Sequence, residues 1–101
     1  MITKTQFEES VENFLLEKHF RLEIATKYLY AYEVMTKGFS WSFKCSWGNG
    51  ILSTVTLYRN AKLILKLDSP TVDQIKLSLI TYFYDDKTKL KIFEEFYDLN
   101  S

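Results

Sequence analysis

The sequence predicts an α+β domain in which helices pack on one face of a four-stranded antiparallel meander, in the order α-β-β-β-β-α-α. Three observations support this prediction. Apolar residues recur at helical spacing near both ends of the chain, they alternate with polar residues in the middle, and short loops containing Gly or Asn separate the alternating segments. With 47% hydrophobic residues, a single domain spanning 1–101 has ample material for a core.

The clearest strand covers residues 39–47. Its odd positions are all apolar, whereas its even positions are occupied by Ser and Lys. Such an alternation is typical of a strand with one buried and one solvated face. The residues expected on the buried face, which the helices should cover, are Phe39, Trp41, Phe43, Cys45 and Trp47.

Residues 6–18 predict the first helix. Thr5 and Glu8 have the spacing of a capping box, and apolar residues then recur at helical intervals. The apolar stripe consists of Phe7, Val11, Phe14 and Leu15. The polar side of the helix is acidic and carries Glu8, Glu9, Glu12 and Glu17.

Residues 20–35 fit either a helix or a strand. A helix would leave Tyr30 and Val34 outside its apolar stripe, whereas a strand places every even residue on one side. We therefore expect one long strand, with a bend or bulge near residues 25–27 because its length is unusual.

Loop lengths set the expected register, because a slip of one residue turns every side chain to the opposite face. A two-residue loop at 37–38 gives the pairs Val34–Trp41, Tyr32–Phe43, Tyr30–Cys45 and Tyr28–Trp47. A three-residue loop at 48–50 gives Trp47–Ile51, Phe43–Val55 and Trp41–Leu57. A three-residue loop at 59–61 gives Leu57–Leu63 and Val55–Leu65.

Two further helices are expected after the sheet. Ser69 and Pro70 have the residue types of an N-cap and a first helical position, and an apolar stripe continues to about Tyr84. A last helix is expected at 87–98, although the alternation of lysines with apolar residues leaves a fifth strand at 87–93 as an alternative. The lysines that open this helix and the acidic residues that close it oppose the helix dipole.

The cysteine content and the pattern of apolar residues indicate the compartment, and the balanced charge gives the chain no polyelectrolyte character. The chain carries 13 basic and 13 acidic side chains, and its single cysteine cannot form an internal disulfide. The first residues lack the pattern of a secretory leader, and no apolar run approaches the ~20 residues that span a bilayer. We therefore expect a soluble cytoplasmic protein without a membrane partner.

The residue inventory argues against catalysis. A nucleophilic triad would have to use His19, and Cys45 is expected inside the core, where a thiol is inert. One Cys and one His exclude the zinc patterns, and the loop at 48–50 lacks the residues that follow a phosphate-binding loop. We expect no enzymatic activity, no cofactor and no metal.

Binding to another protein is therefore the favoured function, and an inhibitor or immunity protein that neutralises a partner such as a toxin fits best. The acidic helix (Glu8, Glu9, Glu12 and Glu17) is expected to mask a basic cleft of that partner. A nucleic-acid-binding sheet is the first alternative, and its expected contact residues are Lys44, Tyr58, Lys62 and Lys66. A homodimeric or chaperone-like subunit, pairing through the solvated sheet face or an edge strand, is the second.

Overall fold

The computed structural model describes the backbone of residues 1–100 and the side chains of residues 1–95. The fold is α+β. Its helices are α1 (Lys4–Glu9), α2 (Val11–Glu17), α3 (Val72–Phe83) and α4 (Asp86–Asn100). Its strands are β1 (Arg21–Ala25), β2 (Leu29–Thr36), β3 (Phe39–Gly48), β4 (Ile51–Arg59) and β5 (Lys62–Asp68).

The sheet has five strands in sequential order, and every neighbouring pair is antiparallel. The prediction of four strands is wrong because residues 20–35 form two strands instead of one bent strand. Thr26 makes the reversal: its Oγ1 accepts hydrogen bonds from the backbone N–H groups of Tyr28 and Leu29, at 3.2 and 3.0 Å. A turn of this kind depends on a threonine hydroxyl that accepts hydrogen bonds from backbone amides, so the spacing of apolar residues does not predict it.

The β2–β3 hairpin has the predicted register. Val34 faces Trp41, Tyr32 faces Phe43 and Tyr30 faces Cys45 across a two-residue turn. Tyr28 does not form the predicted ladder pair with Trp47, because it lies in the turn before β2. Its carbonyl oxygen nevertheless accepts a hydrogen bond from the Trp47 amide at 2.9 Å.

The registers predicted for the next two hairpins are wrong, because both turns contain two residues instead of three. The turn residues Asn49-Gly50 and Asn60-Ala61 all have φ between +50° and +76°, as the mirror-image hairpin turns require. A bulge at Ser53 then puts Leu52 opposite Trp47, and a second bulge at Ile64 follows the other turn. The observed pairs that replace the predicted ones are Trp41–Arg59, Phe43–Leu57, Trp47–Leu52, Leu57–Leu65 and Val55–Leu67.

The N-terminal helix begins earlier than expected and is interrupted. Thr3, instead of Thr5, is the N-cap of α1, and it forms a capping box with Gln6 in place of Glu8. Ser10 separates α1 from α2, and its side-chain hydroxyl donates to the Gln6 carbonyl oxygen at 2.5 Å. This competition between a serine side chain and the backbone is typical of a helix end.

The C-terminal helices are close to the prediction. Thr71, instead of Ser69, caps α3 by accepting a hydrogen bond from the Gln74 amide, and the helix ends at Phe83. Residues 87–93 belong to α4 and are not a fifth strand. Asp85 caps this last helix, since one of its carboxylate oxygens accepts the Thr88 amide at 2.7 Å.

The helices cover the sheet face that carries the two tryptophans, as predicted. Phe7 of α1 contacts the rings of Phe43 and Trp47, and Phe83 of α3 lies 4.6 Å from Trp41 between ring centroids. Cys45 is fully buried between these contacts. Over residues 1–100, none of the helices is both long and apolar enough to cross a membrane.

Candidate functional site

Glu8 and Glu12, two of the four predicted acidic residues, accept hydrogen bonds from tyrosines of the sheet. The Tyr30 hydroxyl donates to Glu8 Oε1 at 3.1 Å, and the Tyr32 hydroxyl donates to the Glu12 carboxylate. Burial, followed by the hydrogen bond to Glu12, holds the pKa of Tyr32 well above its ordinary value of 10.0. Glu8 and Glu12 therefore serve the packing of the first two helices on the sheet.

The two other acidic residues lie apart from this contact. Glu9 lines a groove of about 400 Å³ together with Gln6 and Thr71, between α1 and the start of α3. Glu17 is the exposed last residue of α2, beyond the interruption at Ser10. The structure thus divides the predicted acidic residues among three environments.

The second sheet face is left open by the helices, and we call it the open face. Cross-strand register sets its central row, in which Lys44 of β3, Thr56 of β4 and Lys66 of β5 lie side by side. Tyr58 follows Thr56 on the same face and is opposite Ser42. Lys44, Tyr58 and Lys66 therefore lie together on the open face, where the sequence analysis places them.

Lys44 is held in position by an aromatic ring. Its ammonium lies 5.1 Å from the centroid of the Tyr58 ring, and both side chains are half-buried. This cation–π contact leaves the three N–H donors of Lys44 available to a partner. It also covers part of the ring that a stacking nucleobase would need.

Apolar side chains border this basic row. Ile24, Met35 and Leu63 belong to the open face and are exposed by 44%, 73% and 47%. Ile24 and Leu63 were predicted on the buried face, and that prediction is wrong. A bulge at Glu23 in β1 and the bulge at Ile64 in β5 shift the alternation and turn both side chains outward.

The acidic residues on the open face are occupied by neighbours other than the lysines. Glu23 forms an ion pair with Arg21 at 3.3 Å, Glu33 accepts a hydrogen bond from Ser42, and Asp68 accepts one from Thr54. Among the side chains of residues 1–95, neither Lys44 nor Lys66 has a carboxylate within ion-pairing distance.

Lys62 does not join this row, which corrects the predicted position. Its register partner is Arg59, and Arg59 in turn faces Trp41, so both basic residues belong to the face that the helices cover. The bulge at Ile64 is again the cause, since it reverses the alternation between the two lysines of β5.

The groups with chemical reactivity lie elsewhere. Burial raises the pKa of the Cys45 thiol well above its ordinary value, so the thiol is neutral and a poor nucleophile at pH 7. His19 follows the end of α2 and is exposed. Within the part of the chain that the structure describes, no cluster of His, Cys, Asp and Glu side chains has the arrangement of a metal site.

Comparison with known proteins adds no family to this description. The chain matches no protein-family model, no curated protein and no solved structure. Its function is therefore inferred from the side chains and contacts of the open face.

Proposed function

We propose that this chain is a small, non-catalytic protein-binding domain that inhibits a partner protein, such as a toxin, by stoichiometric contact through the open face. The observation that carries this proposal is that the uncovered sheet face combines exposed apolar side chains with two lysines, Lys44 and Lys66, which have no carboxylate partner among the side chains of residues 1–95. Exposed apolar side chains set among polar and charged ones are typical of the surfaces that proteins bind.

The size of the open face suits one protein interface. Five strands spaced by about 4.8 Å, each about 7 residues long, give a face of roughly 20 Å by 25 Å. A flat face of that size is about 500 Å², and a standard interface buries about 800 Å² on each partner. The open face can therefore supply the larger part of one such interface, with side chains at its rim supplying the rest.

Electrostatics indicates the chemistry of the partner. Lys44 and Lys66 flank Thr56 at roughly 10 Å from each other, two strand spacings apart. Two cations without a counter-ion in the described part of the chain attract carboxylates, so we expect an acidic patch on the partner. The acidic helix contributes less than the sequence analysis expects, because Glu8 and Glu12 already accept hydrogen bonds from tyrosines.

The test is affinity capture from nuclease-treated lysate of the native host with three forms of the protein. The open-face variant carries Lys44→Glu and Lys66→Glu, and the control variant carries Lys87→Glu and Lys91→Glu, which make the same charge change at exposed positions on α4. We expect the wild type and the control to retain one stoichiometric protein that the open-face variant loses. With the purified pair, the association rate constant of the open-face variant should be lower than that of the wild type by about tenfold or more. The rate constant of the wild type should also decrease as the ionic strength rises.

Three results would contradict the proposal. Equal capture by the open-face variant would place the interface on another surface, and capture that disappears with nuclease would favour the nucleic-acid-binding alternative. Recovery of the chain alone, together with a mass that rises with concentration, would favour the homodimeric alternative. Circular dichroism of each variant checks that the fold is retained.

A further inference from the structure

The end of the β4–β5 hairpin combines several locally unfavourable features. Arg59 and Lys62 are direct cross-strand partners, and like charges placed opposite each other destabilise a sheet. Between them, Ala61 has φ +65°, a left-handed conformation that costs a residue with a Cβ roughly 1 kcal/mol. A sequence selected for stability alone has better choices at these positions, so the hairpin end is a candidate for a function.

A third such feature lies beneath the hairpin end. Trp41, the cross-strand neighbour of Arg59, is only 4% exposed, and its indole N–H has no hydrogen-bond acceptor among the described residues. Buried donors in folded proteins almost always have a partner. The Trp47 indole N–H shares this feature, so the two exposed cations, Arg59 and Lys62, are the groups at the hairpin end that complement an anion.

The arrangement is rigid. The Arg59 guanidinium lies 4.9 Å from the Phe39 ring centroid and 5.9 Å from that of Trp41. The turn is fixed to β3 by two hydrogen bonds: the Asn60 amide donates to the Ser40 carbonyl at 2.7 Å, and Asn60 Oδ1 accepts the Ser40 amide at 2.9 Å. Stacking on aromatic rings fixes the orientation of a guanidinium without using its five N–H donors.

Neither cation is neutralised by the side chains of residues 1–95. No carboxylate lies within ion-pairing distance of Arg59 or Lys62 among the described side chains, and both residues are exposed. Phe39 keeps 37% of its surface exposed although the guanidinium lies over its ring. A fork of N–H donors, a second cation and an accessible aromatic ring thus occur at one place.

We propose that the hairpin end binds a nucleotide, with its phosphate group held by Arg59 and Lys62 and its base packed against Phe39. Phosphate is favoured because its several oxygens accept the paired donors of a guanidinium together with an ammonium. The exposed ring adds a contact that bases make and inorganic phosphate cannot. This site is separate from the open face, and the nucleotide is either free or one unit of a single strand.

The test uses the full chain labelled with ¹⁵N and three probes: inorganic phosphate, adenosine monophosphate and a five-nucleotide deoxyadenosine strand. We expect each probe to shift the amide signals of Asn60, Ala61 and Lys62, with adenosine monophosphate binding more tightly than phosphate. Phe39→Leu should weaken the binding of adenosine monophosphate more than that of phosphate, because the monophosphate loses its base contact as well as the ring that orients Arg59. If the single strand binds more tightly than adenosine monophosphate, the natural ligand is a single strand. If the single strand and adenosine monophosphate bind with equal affinity, the natural ligand is the free nucleotide.

Lys62→Glu is the decisive variant, because it should change binding and stability in opposite directions. The carboxylate opposite Arg59 should raise the melting temperature and reduce the affinity for adenosine monophosphate by about tenfold or more. Arg21→Gln, which removes an arginine from the opposite edge of the sheet, is the control and should leave the affinity unchanged. Three results would each overturn the proposal. The amide signals do not shift at millimolar concentrations of the probes, phosphate and adenosine monophosphate bind with equal affinity, or Lys62→Glu binds adenosine monophosphate as tightly as the wild type does.

Discussion

At the scale of single residues, two tyrosines connect the N-terminal helices to the sheet. Tyr32 is fully buried and donates its hydroxyl hydrogen to the half-buried carboxylate of Glu12. Tyr30 makes the corresponding bond to Glu8 near the surface. A hydrogen bond to a charged acceptor is stronger than a neutral one, and it matters most where water cannot replace it.

Tyr32→Phe should therefore lower the free energy of unfolding by about 1.5–3 kcal/mol, because it leaves Glu12 without its buried donor. Urea denaturation at pH 7, followed by tryptophan fluorescence, measures this loss. Tyr30→Phe is the matched control, and its cost should stay below about 1 kcal/mol since water can reach Glu8. Equal losses for the two variants would contradict the importance of burial.

Stability should also depend on alkaline pH. The pKa of the Cys45 thiol and that of the Tyr32 hydroxyl are raised, first by burial, from ordinary values of 9.0 and 10.0. Above pH 9 and pH 10, respectively, these groups lose their protons in the unfolded chain but keep them in the folded chain. Their contribution to the free energy of unfolding is therefore fully present below about pH 9 and is lost as the pH rises. The limiting slope is about 1.4 kcal/mol per pH unit for each group.

Urea denaturation between pH 8 and pH 10.5 tests this dependence, and Cys45→Ala separates the contributions. The variant should lose the decline that begins near pH 9 and keep the one that begins near pH 10. A decline of the same size and onset in Cys45→Ala would show that the thiol does not contribute. Each protein is compared with itself at different pH values. The stability that Cys45→Ala loses through its smaller side chain does not depend on pH, so it cancels in this comparison.

At the scale of secondary-structure elements, the β3–β4 and β4–β5 turns both begin with Asn and differ in their second residue. Gly50 ends the β3–β4 turn with φ +76°, whereas Ala61 ends the β4–β5 turn with φ +65°. Glycine adopts this conformation freely, and alanine does not. The same backbone geometry thus has a different energetic cost in the two hairpins.

Ala61→Gly should raise the free energy of unfolding by about 1 kcal/mol, which corresponds to roughly 4–8 °C in the melting temperature of a domain of this size. Gly50→Ala is the reverse control and should lower stability by a similar amount. A Cβ at position 50 would meet no atom within 4 Å, so its effect comes from the backbone alone. Thermal denaturation that shows the same sign for both variants would contradict this account.

At the scale of the whole molecule, the two outer strands limit pairing with other chains. β1 has a bulge at Glu23 and β5 has one at Ile64, and charged side chains lie along both strands. Bulges and charges on edge strands discourage edge-to-edge association. We therefore expect a monomer in the absence of the partner, even though an edge-paired dimer is one of the alternatives from the sequence.

Deletion of Glu23 tests this expectation, because it makes Leu22 and Ile24 consecutive in a regular ladder with β2. The variant should keep its circular dichroism spectrum and show a mass that rises with concentration in light scattering, whereas the wild type should stay monomeric. After the deletion, Leu22 and Ile24 keep their partners Tyr32 and Ala31 and so stay on opposite faces of the sheet. A monomeric deletion variant would show that charge alone protects this edge.

The sequence by itself determined the α+β class, the β2–β3 register and the core position of Cys45, because strict alternation or helical spacing leaves one face that can be buried. It also placed Lys44, Tyr58 and Lys66 on the open face, since each lies in a segment whose alternation survives.

Only the tertiary structure decided the number of strands, the two-residue length of the turns at 49–50 and 60–61, and the three bulges. These in turn decided that Ile24 and Leu63 face outward and that Lys62 pairs with Arg59. The physical reason is that a turn or a bulge depends on which backbone and side-chain groups can pair across neighbouring strands. That choice does not change the hydrophobic periodicity along the chain.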